Sequence, residues 1–154
     1  MPSPLSELET RLGFTIKDRT ILDAALTRQA YINENPTAGN DCMDPLATVG
    51  DAVLGAVVAT RLYESGIRDK GTLTSEKIRG VNRDKTRAFA EKFQLHKFIR
   101  WGKGEEKNKV WEQGSQAFDA AFEALIGAVF LDTRRQGKDG LAAVQVLLEG
   151  LKFF

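Results

Sequence analysis

Asp44-Pro-Leu-Ala-Thr-Val-Gly-Asp-Ala-Val-Leu-Gly-Ala-Val-Val-Ala-Thr-Arg-Leu-Tyr-Glu-Ser-Gly66 is the stretch on which the fold turns. Leu46, Val49, Val53, Leu54, Val57, Val58 and Leu62 recur with helical spacing. Asp44-Pro45 reads as a cap followed by a first-turn proline, and Gly66 as a stop. A run of about 20 residues makes a helix roughly 30 Å long. It is apolar over much of its circumference, which predicts a buried central helix. Ala47, Gly50, Ala52, Gly55, Ala56 and Ala59 are small, so other helices can come close. Each glycine costs about 1 kcal/mol of helix propensity, and a pair of them in one helix predicts tight packing.

Outward from this helix, nearly every segment reads as helical. Ser3-Pro4 opens a stretch with Leu5, Leu8 and Leu12 on one stripe. Asp18 can cap a helix through Ile21, Leu22, Ala25 and Leu26, and residues 32–43 read as a polar loop around Asn35-Pro36 and Gly39. Thr72 or Thr74 can cap a basic helix with Lys77 and Arg79, and Asn82 another that runs to about Phe93. Residues 100–109 are glycine-rich and charged, as in an exposed loop. A sixth main helix is predicted from about Gln113 to Leu131, and a last one from near Asp139 to near Leu151. With no period-two strand, repeat or low-complexity tract, the expected fold is an all-α bundle forming one domain over residues 1–154.

The chain has 154 residues, 42% hydrophobic and 28% charged, with a single cysteine, which excludes disorder and a disulfide scaffold. No unbroken apolar stretch, that of residues 53–59 included, comes near the roughly 20 residues of a spanning helix, and the start lacks a leader pattern. No membrane association and a cytoplasmic location are the expectations. The net charge of +1 hides an uneven distribution. Residues 68–109 hold 13 basic and 6 acidic residues, a net of +7, which leaves 9 basic and 15 acidic elsewhere, a net of −6. A basic middle in an acidic frame suits a polyanion on one face and a cation on another.

One histidine, His96, and one cysteine, Cys42, exclude a clustered His/Cys zinc site and read as structural residues. Gly102-Lys-Gly104 lacks the length and ending of a phosphate-binding loop. The notable residues are carboxylates within apolar helices. Asp51 follows Gly50 in the central helix, and Asp119 and Glu123, four apart, share a face of the later one. They are either ordinary surface acids or, presented by two packed helices, a site for a hard cation such as Mg²⁺.

These residues resemble the catalytic domain of the ribonuclease III family. Ala25-Leu-Thr-Arg-Gln-Ala-Tyr31 is similar to its Ala-Leu-Thr-His-x-Ser-Tyr motif. Leu46-Ala-Thr-Val-Gly-Asp-Ala-Val-Leu54 resembles its signature helix, Glu-Arg-Leu-Glu-Phe-Leu-Gly-Asp-Ala/Ser. Gly71-Thr-Leu-Thr74, Leu95 to Glu105 and Ala121-Phe-Glu-Ala-Leu-Ile-Gly-Ala-Val-Phe-Leu-Asp132 follow in the family's order, so that residues 5–150 are covered. The resemblance implies a double-strand-specific endoribonuclease, homodimeric, with Mg²⁺ (or Mn²⁺) held by four acids. Carried over by position, Asp51 and Glu123 are the catalytic and metal-binding acids, while the other two positions hold Ala47 and Ala120. Asp119, beside the second alanine, is either a substitute metal ligand or a surface residue, and Asp44 is read as the helix cap. Thr48 stands where the family has the aromatic residue that plugs the partner subunit. The chain resembles the stand-alone members, without an appended double-stranded-RNA-binding domain. RNA contact would then fall to the basic middle, with Lys77, Arg79, Arg83, Lys103 and Lys107 foremost and Lys85, Arg87 and Lys109 beside them. The two functional expectations are Mg²⁺-dependent hydrolysis of structured RNA and, alternatively, a catalytically impaired dimeric RNA-binding component.

Overall fold

The stretch from Asp44 to Glu64 lies within one helix, and the chain is built around it. The structure, a computed structural model, describes residues 3–39, 41–112 and 116–154, apart from the Arg83 side chain. In chain order the α-helices are α1 (Leu5–Leu12), α2 (Arg19–Ala25), α3 (Gln29–Glu34), α4 (Met43–Glu64), α5 (Lys70–Gly80), α6 (Arg83–Lys92), α7 (Lys103–Lys107), α8 (Ala117–Arg135) and α9 (Gly140–Gly150). Short 3₁₀ turns occupy Pro36–Ala38, Leu95–Lys97 and Val110–Glu112. Among the described residues the nearest thing to a strand is one isolated parallel bridge between Thr27 and Arg100. The all-α expectation is met.

The seam between α4 and α8 organises the core. A Cβ placed on Gly50 would lie 1.7 Å from the carbonyl oxygen of Glu123, and one on Gly127 would lie 2.3 Å from that of Leu46. The two backbones therefore touch, which explains the propensity cost of glycine within these helices. Val53, Leu54, Val57 and Val58 of α4 and Phe118, Phe122, Leu125, Ile126 and Val129 of α8 are buried in the core around the seam. Helices α2, α6 and α9 pack on the outer sides of α8. By length and composition α4 could cross a bilayer, but here one of its faces lies in the core. Its other face, with Asp44, Thr48, Asp51, Ala52, Ala56 and Thr60, is exposed, so the central helix is covered on one side of the chain.

Buried acids tie loops to this core. Asp132, 2% exposed, accepts from the backbone N–H groups of Lys17 (3.1 Å) and Asp18 (2.9 Å) and from the Gln136 amide (3.0 Å). Glu9 accepts from the Ile16 N–H at 2.9 Å and pairs with Arg19 at 2.8 Å.

Capping differs from expectation at several ends. Asp18, Asn82 and Asp139 cap α2, α6 and α9 as expected. Pro4 rather than Ser3 is the cap of α1, and Asp69, not Thr72 or Thr74, caps α5, its carboxylate accepting from the Thr72 N–H at 2.8 Å. Cys42 occupies the cap of α4, so Asp44 falls in the first turn, where its charge faces the positive end of the helix. The expected polar loop over residues 32–43 contains the end of α3 and a 3₁₀ turn. The sixth main helix begins at Ala117 and runs four residues past Leu131, and Gln113, its expected start, lies outside the described residues.

The expected exposed loop at residues 100–109 is the largest departure. Trp101 and Gly102 are buried, and residues 103–107 are helical. A Cβ on Gly102 would meet the Ala30 Cβ at 2.6 Å, so this glycine serves close packing on α3 rather than flexibility. Arg28 grips Glu105 (Nη2 to Oε2, 2.8 Å), Glu105 accepts from the Gly102 N–H at 3.2 Å, and the Lys103 N–H donates to Glu34 at 2.9 Å.

Candidate functional site

The α4–α8 seam brings together the segments that carry the candidate acids. Asp51 follows Gly50, whose backbone lies against that of Glu123, so the two residues flank one helix crossing. Asp51 is exposed, Glu123 half-buried and Asp119 buried at 8% exposure. Ala47, one turn before Asp51, is buried, and Ala120 is half-buried. Among the described residues no three His, Cys, Asp or Glu side chains gather as a metal site would require. Mg²⁺ takes six oxygens in octahedral geometry, waters and substrate phosphates among them. Asp51 and Glu123 are two of the four acids that the resemblance implies and alanine stands at the other two positions, so the donors present do not make up that four-acid site.

The basic residues are divided between two regions. Lys77 (half-buried) and Arg79 (exposed) are in the last turn of α5, where cations complement the helix dipole, and Arg79 is ion-paired with Glu76. Arg83 opens α6, but its side chain lies outside the described residues. Lys85 is half-buried, its ammonium 4.4 Å from the centre of the Phe153 ring, and burial pushes its pKa down. Arg87 faces Glu91 at 3.8 Å. Lys103, Lys107 and Lys109 are exposed at or just after α7, beside α3. Thr72 holds the Asp69 carboxyl below its usual range through backbone and hydroxyl hydrogen bonds.

A second constellation lies next to α7, in the segment expected to be an exposed loop. His96 stacks on Trp111 (centroids 5.5 Å apart, planes 21° apart), and Trp111 contacts Trp101 at 5.0 Å. The Trp101 indole N–H donates to the His96 carbonyl at 2.9 Å. Arg100 lies over the Tyr31 ring at 5.6 Å. Both tryptophans of the chain are here. The sequence signal was the pairing of two tryptophans with a lone histidine over sixteen residues, but its glycines and lysines favoured a loop.

The ribonuclease III domain family model matches residues 44–134, which spans α4 through most of α8. Ribonuclease 3 of Lactiplantibacillus plantarum is 34% identical over 131 residues, covering 84% of this chain and 56% of that protein. Ribonuclease 3 of Pelotomaculum thermopropionicum is 36% identical over 139 residues, covering 90% and 57%. The chain thus spans a little over half the length of these curated relatives. A Campylobacter jejuni ribonuclease III nuclease domain, described for structural flexibility in its region of dimer formation, superposes with a TM-score of 0.81 at 26% identity. That superposition covers 97% of this chain and 95% of the other. With more than half of its sequence matched by the family model and nearly all of its fold superposed on a nuclease domain of that family, the chain belongs to the ribonuclease III family.

Proposed function

We propose that the chain binds double-stranded or structured RNA as a homodimer and that its phosphodiester-hydrolysing site is impaired. The observation that carries this is the pair of alanines, Ala47 and Ala120, at a crossing where Asp51 and Glu123 remain. In such sites clustered carboxylates hold divalent cations that activate water and stabilise the leaving oxygen. With alanine at two of the four positions, a cation at this crossing is held by less charge and fewer protein oxygens than in the four-acid site, and among the described residues buried Asp119 forms no three-acid group with Asp51 and Glu123. The A-form duplex is read by shape and phosphate, which needs basic side chains rather than metal. Lys103, Lys107 and Arg79, exposed, and Lys77, half-buried, supply such groups. The exposed small residues along α4 give a second copy a surface for close approach, with Thr48 in place of a bulky plug.

Incubation with a perfect RNA duplex and Mg²⁺ or Mn²⁺ tests this reading. Binding that falls steeply with salt and yields no products is expected, and the double variant Ala47→Glu/Ala120→Asp should gain metal-dependent cleavage. Cleavage by the unaltered chain that is lost in Asp51→Asn and Glu123→Gln would refute the impairment and support hydrolysis instead.

A further inference from the structure

We propose that the cleft between α3 and the 96–111 segment binds a single unpaired nucleotide of an RNA strand, stacking its base on Trp111 and His96. The cleft holds about 370 Å³ and is lined by Tyr31, His96, Lys97, Arg100, Trp101 and Trp111. Its volume falls within the range of small-molecule clefts, about 300–1,000 Å³.

The chemistry of the lining selects the ligand. Trp101 is buried, whereas Trp111, His96, Tyr31 and Arg100, which also line the cleft, are half-buried and so keep part of their surfaces accessible. Aromatic rings and a planar guanidinium are the groups on which unstacked bases settle. Burial keeps the His96 imidazole neutral near pH 7, so it can stack without placing a charge against the base. At the rim, Lys97 is exposed and donates to the Gln94 side chain at 3.1 Å, while half-buried Arg100 donates to the Asp23 carbonyl at 3.4 Å and has further N–H donors on its guanidinium. Both suit a phosphate. Glu106, also on the rim, can accept from a base amine. A duplex offers no free base face along its length, so the ligand is an unpaired nucleotide in an overhang, bulge or single-stranded flank.

The site is separate from the α4–α8 acids. It extends the reading of the chain as an RNA binder, but its test does not depend on that reading. Because the chain's two tryptophans both line this cleft, tryptophan emission, excited where tyrosine does not absorb, reports on it. Titration with a single-stranded uridine or adenosine pentamer should quench that emission saturably, and the free mononucleotide should do so more weakly. Trp111→Ala should weaken pentamer binding, followed by anisotropy of a labelled strand, by about 5- to 100-fold, the range expected for one stacked base. Trp111→Phe should keep most of it. Arg100→Gln should weaken binding and lessen its salt dependence. A blunt duplex should leave the emission unchanged even where it binds elsewhere. Unchanged emission with the pentamer, or pentamer binding that is equal in Trp111→Ala and the unaltered chain, would overturn the proposal. Duplex binding without a fluorescence change refutes the cleft and leaves the RNA-binding reading standing. Quenching without duplex binding does the reverse.

Discussion

Adding one methyl group at Gly50 should destabilise this protein as much as removing a large core side chain usually does. The new Cβ would sit 1.7 Å from the Glu123 carbonyl oxygen, against an ordinary contact of at least 3.4 Å. The obstacle is backbone inside a helix, so it cannot rotate away. Restoring contact distance means parting α4 from α8 by about 1.7 Å along that line, and a gap of even 0.5–1 Å forfeits a quarter to a half of the dispersion energy across a seam. Gly127, on the other side of the same crossing, allows no slide in that direction. Ordinary overpacking costs about 1–3 kcal/mol, and Gly50→Ala belongs above that range, at roughly 4 kcal/mol or more. For a domain of this size it is a fall in Tm of about 8–16 °C. Gly55, in the same helix, has nothing within 4 Å of its would-be Cβ. Gly55→Ala should therefore add about 0.5–1 kcal/mol through helix propensity and chain entropy and raise Tm by about 1–4 °C. Thermal unfolding by circular dichroism over a dilution series measures both. A Gly50→Ala protein melting within about 3 °C of the unaltered chain would refute the close backbone approach on which the site is built.

Three further outcomes follow from buried charges. Asp132→Ala leaves the Lys17 and Asp18 N–H groups without their acceptor, and should cost about 2–4 kcal/mol in urea unfolding with an unchanged m-value. Burial, assisted by Lys97 and opposed by Glu112, holds the His96 pKa below 6.5. The unfolded chain therefore takes up the proton first, so this contribution to stability is complete above 6.5 and is lost as pH falls through that value toward the folded pKa. Tm measured from pH 7.5 to about 5 should fall less in His96→Gln than in the unaltered chain, and equal slopes would refute the assignment. Glu105→Ala should free α7 from Arg28, raising amide exchange over residues 103–107 while the exchange of α8 stays unchanged.

What the sequence revealed of this fold follows from which signals are local. The α4 helix and its glycines were legible because helical periodicity and the cost of a mid-helix glycine are properties of one segment. The caps at Asp18, Asn82 and Asp139 were legible for the same reason. The 100–109 segment was not. Its glycines and lysines carry loop propensity, but Gly102 is small because Ala30 is near, and Glu105 is held by Arg28, 77 residues away. These are tertiary reasons that no local pattern encodes. The candidate site divides in the same way. Asp51, Glu123 and the two alanines could be aligned from motifs, whereas the Trp101, Trp111 and His96 cluster depends on a chain path visible only in the fold.

The fold and the acids of this family are physically separable, and that explains how two acids can be absent while the architecture remains. The seam is held by backbone contact at Gly50 and Gly127 and by the apolar side chains around them. Asp51 is exposed at its edge. Four carboxylates around one crossing repel one another unless a cation sits among them, and each depresses stability when it does not. Alanine at positions 47 and 120 removes two of those charges and supplies the strongest helix former in their place. Replacing an acid at this crossing therefore costs the fold nothing and the hydrolytic chemistry much, whereas replacing a glycine costs the fold itself. Under the reading proposed above, shape-dependent RNA binding needs the glycines that set this backbone contact and not the acids beside them.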